Sequence, residues 1–353
     1  MNWTFFKALL ELDSTTGRER ETALWLLSQL DAPSKQSFEV GDGTLNLLLS
    51  WGTPRVVFCT HMDTVPPYIA PGFLEDIVVT GRGSCDAKGQ IFAMYTACKE
   101  LEAAGCTDFG LLLLAGEETG SWGAKAFAKT DFKAPYLIVG EPTENKLVSA
   151  SKGTLSYDLT FTGEAFHSGY PQFGVSAVDL FNQFYNALKA VDWGQDPVLG
   201  ETTWNVGLLH SDNPQNILSP SLTCRLYFRT TFVSHEAVQR WMSESGREVF
   251  PSASLRDSVR ASAPGNTSLP DAVPTGLTVT ARGGDVPARY LVPEGFDGAP
   301  VAFGSDAPHL SNFRHKLICG PGSIRYAHRP DEHVLAADLE AAVALYQRLF
   351  HTL

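Results

Sequence analysis

The stretch Leu111 to Gly120, LLLLAGEETG, constrains this chain more than any other. Four leucines followed by alanine describe a strand buried on both faces, as found inside a mostly parallel sheet. The run ends abruptly in Gly116, Glu117, Glu118, Thr119 and Gly120. Two adjacent carboxylates at the end of such an apolar run are costly to hold without a charged partner. Neighbouring side chains of an extended segment point in different directions. One carboxylate is therefore placed to grip a metal while the other faces water held by that metal. A solvent-facing acidic turn is the competing reading.

The remaining chain alternates helix and strand around that run. Phe5, Leu9 and Leu12, then Ala23, Leu26, Leu27 and Leu30, lie at helical spacing. The segment Ser14-Thr-Thr-Gly-Arg between them reads as a cap and turn. Strands are expected at 45–50, 55–60, 111–115 and 136–139, and a helix at 91–104. Polar residues gather where those strands end. They are His61 and Asp63 in HMDTV, Asp86 in GRGSCDAKG, Glu117 and Glu118 in GEET, Glu141 in GEPT, and His328 further on. An open α/β sheet binds its ligands beyond the carboxyl ends of its strands. Imidazole and carboxylate groups suit a borderline metal such as zinc.

After Gly153 the texture changes to half-exposed alternating strands and amphipathic helices. Strands at 155–162, 204–209 and 222–231 and helices at 175–190 and 235–248 describe a small inserted α+β unit with a β-α-β-β-α-β order. A Pro/Ser/Ala-rich linker at 260–275 leads back to strands at 301–303 and 316–319 and a final helix from about 335 to 349. The expected fold is thus α/β, a mixed, mostly parallel sheet between helices, with residues 1–152 and 265–353 in one domain and 153–264 inserted.

Composition narrows the function classes. The net charge of −12 argues against a nucleic-acid surface, which needs clustered Lys and Arg. No apolar run is long enough to span a bilayer, and no signal-like segment opens the chain. The six cysteines form no C-x-x-C pair, which suits a reducing, cytoplasmic setting. Cys85, next to Asp86, is expected to be a packed neighbour, because nearby negative charge disfavours a thiolate. His210, His235, His315 and His351 read as surface residues.

HMDTV, GRGSCDAKG, GEET, GEPT and GPGSIRYAHRPDE, in that order, resemble the signature of the two-zinc amidohydrolases. That family includes acetylornithine deacetylase, succinyl-diaminopimelate desuccinylase and carboxypeptidase G. GSDAPHL followed by GPGSIRYAHRPDE is most similar to acetylornithine deacetylase, and KGTLSYDLTFTGEAFHSG to the entry into its lid domain.

The resemblance implies a zinc-exopeptidase-like catalytic domain with a ferredoxin-like lid and dimerisation insert. It makes His61 and Glu141 the ligands of one Zn2+, Glu118 and His328 those of a second, and Asp86 the bridge, with Co2+ or Mn2+ as substitutes. Asp63 would orient His61, Glu117 would be general base, and hydroxide would be available because zinc lowers the pKa of its water from near 16 to roughly 7. His167, in EAFHSGYP, would donate to the oxyanion in the pocket of a neighbouring subunit, making the protein a homodimer. Asn216 and Arg229 would contact substrate, although an ordinary strand-surface arginine fits Arg229 equally well. Gly322 would bring backbone close to substrate.

The implied reaction is hydrolysis of a small N-acyl amino acid. N-acetylornithine is the first choice, as a step of arginine biosynthesis. N-acetylcitrulline, N-succinyl-ornithine, succinyl-diaminopimelate and a small dipeptide are alternatives, and a catalytically silent binding protein is the rival outside enzymes. Residues 275–298 depart from the family pattern, since the amphipathic helix expected there is replaced by Gly- and Pro-rich sequence.

Overall fold

The computed structural model describes residues 1–41, 43–74, 77–248 and 276–353. Two compact units emerge. The first comprises Met1–Ala150, Arg289–Val301 and Ser305–Leu353, and the second Ser151–Ala288 with Ala302–Gly304. The linker expected at 260–275 and the boundary expected at 264–265 lie outside the described residues.

The first unit is built on a six-stranded mixed sheet. Its order is Ser34–Gly41, Thr44–Trp51, Phe109–Leu114, Val56–His61, Ala134–Val139 and Phe313–Ile318. The first three strands pair antiparallel, and the last four, from Phe109–Leu114 onward, run parallel. Every residue of Val56–His61 and of Phe109–Leu114 is buried.

Strand alternation explains why the leucine run needs both faces covered. Leu111 and Leu113 join Phe58, Ile91, Met94, Tyr346 and Leu349 in one apolar cluster, where the helices Lys88–Ala103 and Ala336–Thr352 contribute. Leu112 and Leu114 join Cys59, Ala124, Phe127 and Leu310 in the other. Each such leucine contributes about 2 kcal/mol on removal from water. Because Val56–His61 and Phe109–Leu114 run parallel with His61 opposite Leu114, their carboxyl ends lie side by side. The polar residues that follow both strands are thereby delivered to one place.

The second unit carries a four-stranded antiparallel sheet ordered Thr203–His210, Ser221–Thr230, Gly153–Thr162 and Gly276–Gly283. The helices Ala177–Ala190 and His235–Glu248 accompany it. Ala177, Leu180, Phe184 and Leu188 form the buried stripe of the first helix and meet Leu159, Phe161, Leu226 and Phe228 of the sheet.

Two expectations are corrected here. Residues 276–288, expected in the first domain, belong to the second unit, because Gly276–Gly283 pairs with Gly153–Thr162. His235 is buried rather than a surface residue. Its Nδ1 lies 2.8 Å from Thr230 Oγ1, and burial pushes its pKa down. Among the described residues no helix is long and apolar enough to cross a membrane.

Candidate metal centre

His61 is the last residue of its strand, and its Nε2 stands 3.1 Å from Asp86 Oδ1. Asp86 Oδ2 lies 3.3 Å from His328 Nε2, which is also 3.0 Å from Glu118 Oε1. One carboxylate thus faces a histidine on each side. The donor atoms of His61, Asp86 and Glu141 all lie within 4.8 Å of one another, and those of Asp86, Glu118 and His328 do the same. A third grouping joins His61 with Glu117 and Glu118. Asp86 belongs to both of the first two sets, as a bridging ligand must.

The electrostatics of the protein groups describe a crowded, buried cluster of carboxyls around two imidazoles. Burial pushes the carboxyls of Glu117 and Glu141 well above their usual range, and neighbouring negative charges add to this. The Oε1 of Glu141 is buried with no hydrogen-bond partner among the described residues. Hydrogen bonds from His328 to the Asp86 and Glu118 carboxylates raise the His328 pKa to about 10. Burial opposes ionisation of Asp86, yet His328 and His61 hold its carboxyl far below the usual range. Crowded carboxylates, two imidazoles and an orphaned buried oxygen fit a pair of divalent cations with N/O ligands such as zinc, cobalt or manganese.

Asp63 is fully buried and acts mainly on backbone. Its Oδ1 accepts from the Glu117 N–H at 3.0 Å. Its Oδ2 accepts from the Glu118 N–H at 3.2 Å and from the Thr16 hydroxyl at 2.9 Å. The nearest partner of His61 Nδ1 is the Asp63 carbonyl oxygen at 2.9 Å, with Oδ1 at 3.5 Å. Asp63 therefore fixes the His61 ring through its own backbone and fixes the Glu117–Glu118 turn through its carboxylate. Gly116, at φ +67°, starts that turn in the left-handed region.

Sequence reasoning missed Thr16, whose TTG context signals only a turn. It also gave no role to Asp306 of GSDAPHL. That residue is buried under the influence of the His61 and Asp63 charges, and burial pushes its carboxyl up to about 6.

Gly322 is buried and packs against Cys85. Its φ is +79°, and a Cβ there would stand 2.6 Å from Cys85 Sγ. Cys85 itself is buried, and burial with the Asp86 charge pushes its thiol well up.

In the second unit His167 is exposed, with Nδ1 accepting from the Gly169 N–H at 3.0 Å. The exposed Asn216 adjoins it, since the Ser168 N–H donates to the Asn216 carbonyl at 2.9 Å. Arg229 lies near the opposite end of Ser221–Thr230, its guanidinium 5.0 Å from the centre of the Tyr227 ring. At about 3.3 Å per residue that strand keeps Arg229 roughly 25 Å from the His167–Asn216 end.

Comparison with known proteins follows the same lines. The model of peptidase family M20/M25/M40 matches residues 57–275, more than half of the chain. The chain belongs to this family. A peptidase M20 domain-containing protein of Schizosaccharomyces pombe is 31% identical over 97% of the chain and 82% of its own length. A protein named probable carboxypeptidase from Aspergillus terreus is 30% identical over 98% of the chain and 85% of its own length.

Among solved structures, a tripeptidase from Staphylococcus aureus superposes with TM-score 0.75 at 18% identity, covering 98% of this chain and 96% of that one. A metallo-carboxypeptidase of the M20 family from Sulfolobus solfataricus gives 0.70 at 15%, covering 99% and 98%. At such identities these two show the fold alone. As an M20 member the chain is a hydrolase of a metallopeptidase family, and its clustered donors are of the kind such an enzyme uses.

Proposed function

We propose that this M20 member hydrolyses the amide bond of a small substrate that ends in an amino-acid carboxylate, using two zinc ions. The observation that carries the reading is Asp86, placed between His61 and His328 with Glu141 completing one donor set and Glu118 the other. Two cations held there would polarise the amide carbonyl and acidify a water. Glu117 is the proton carrier in this reading, for its carboxylate lies within 4.8 Å of donor atoms of His61 and Glu118 without being needed in either Asp86 set. It takes a proton from the attacking water and returns it to the departing amine. Asp63 and Thr16 hold the turn on which Glu117 sits.

Two substrate readings share this chemistry. The resemblance of GSDAPHL and GPGSIRYAHRPDE to acetylornithine deacetylase supports an N-acyl amino acid, with N-acetylornithine first. The names of the two curated relatives, a peptidase-domain protein and a probable carboxypeptidase, support removal of the last residue from a short peptide. Amine release from N-acetylornithine, its succinyl analogue and a set of dipeptides, with and without chelator, separates them. At least one is expected to be cleaved, and cleavage is expected to stop with chelator and resume with added zinc. Turnover of none of them with zinc supplied would count against the proposal.

His167 is assigned here as oxyanion donor to the site of a second copy in a homodimer formed through the second unit. Mixing inactive His167→Ala chains with inactive Glu117→Ala chains is then expected to restore partial activity. Lack of complementation after demonstrated subunit exchange would place each site in one chain.

A further inference from the structure

The motifs GRGSCDAKG and RPDE each carry a charged residue that no donor set uses, and the two meet in the interior of the first unit. Arg82 Nη1 donates to Glu332 Oε2 at 2.5 Å, with the two side chains 3% and 0% exposed. The other oxygen, Glu332 Oε1, accepts three backbone N–H groups at once. They belong to Gly83 at 2.9 Å, Cys85 at 3.1 Å and Asp86 at 3.1 Å.

Arg82 reaches further, donating from Nη1 to the carbonyl of Arg329, the residue after His328, at 3.4 Å and from Nε to that of Pro67 at 3.3 Å. The Gly81 N–H returns to the Glu332 carbonyl at 3.0 Å. The turn that carries Asp86 is therefore fastened directly to the loop that carries His328.

Stability is a weak explanation for such a pair. Two well-packed apolar residues of similar volume commonly replace a buried ion pair without loss. An apolar pair cannot, however, accept three convergent N–H groups, each of which would be costly to leave unpaired. Burial and the Asp86 charge push the Glu332 carboxyl upward, while the Asp86 and Cys85 amides and the Arg82 guanidinium work the other way. What the arrangement specifies is position. Asp86 has to present Oδ1 toward His61 and Oδ2 toward His328 simultaneously, and its backbone N–H is one of the three that Glu332 holds.

We propose that Arg82 and Glu332 form the positioning device of the metal centre, setting the height of Asp86 so that one carboxylate serves both cation sites. The inference rests on the two-cation reading above. Residues that orient ligands without touching the metal typically change metal affinity 10–100-fold when replaced.

Zinc affinity and stoichiometry of the full chain, measured by chelator competition, test it on the unaltered protein, Glu332→Gln, Glu332→Ala, Arg82→Met and the Arg82→Met/Glu332→Gln double variant. Each single variant is expected to bind zinc 10–100-fold more weakly, with the second ion lost first. The double variant is expected to be little worse than either single one, because the two residues act as a unit. Melting temperature of the zinc-free chain is recorded alongside, since a purely structural role lowers it without changing affinity in the folded protein. Two ions bound with unchanged affinity in the variants overturn the proposal, whatever their melting temperatures. An unaltered chain that binds no pair of ions removes the two-cation reading and this inference with it. If Glu332→Ala fails to fold, Glu332→Gln and Arg82→Met decide.

Discussion

Glu117→Gln is expected to lower kcat by about 10²–10⁴-fold, the span a positioned general base contributes, while the bound metal stays in place. Glutamine keeps the size of the side chain and removes only its capacity to take a proton. The backbone at 117 is held from outside by the Asp63 carboxylate, so the turn has no reason to move. Because Glu117 is not needed to complete either donor set that shares Asp86, metal content should match the unaltered chain. Steady-state rates together with metal analysis on the same sample check this. Turnover within a few-fold of normal would take the proton-carrier role from Glu117, and loss of an ion would move it among the ligands. A silent binding protein would show no change at all.

Asp86→Ala strikes the centre itself. This carboxylate is shared by the two sets, and its oxygens stand 3.1 and 3.3 Å from the two histidine nitrogens. Removing it leaves His61 with Glu141 on one side and His328 with Glu118 on the other, two ligands each. The loss in turnover is expected to exceed the roughly 10²-fold upper range for residues that only orient ligands. Added zinc is not expected to restore it. Initial rates across a zinc titration provide the check, and recovery to the normal rate would show that the bridge is dispensable.

The sheet core and the donor residues were legible because one physical fact produces both. A strand buried on two faces must be apolar throughout, so LLLLA stands out, and the polar residues just past its end are where a parallel sheet exposes its ligands. His61, Glu117 and Glu141 follow from the same logic on adjacent strands. Asp86 and His328 sit on turns; they were gathered with the other polar residues, and the family resemblance gave them their roles as bridge and ligand.

The edge strand Ser34–Gly41 escaped because most of its side chains are exposed and carry no apolar pattern. Gly276–Gly283 reads in the sequence only as part of a Gly- and Pro-rich stretch, although its alternating Leu277, Thr278, Val279 and Thr280 suit the strand that pairs with Gly153–Thr162. The Arg82–Glu332 contact joins positions 250 residues apart and leaves no local trace. Substrate identity is less legible than chemistry for a related reason. The short motifs cluster around the candidate cation donors, and none of them names a substrate.

In the proposed function, residues scattered from position 61 to position 328 hold two cations through a shared Asp86. Anomalous scattering at the zinc edge from crystals of the full chain grown with zinc tests it most directly. Two peaks are expected, one against His61, Asp86 and Glu141 and one against Asp86, Glu118 and His328. No peak at either set, or zinc bound only elsewhere on the chain, would contradict the account.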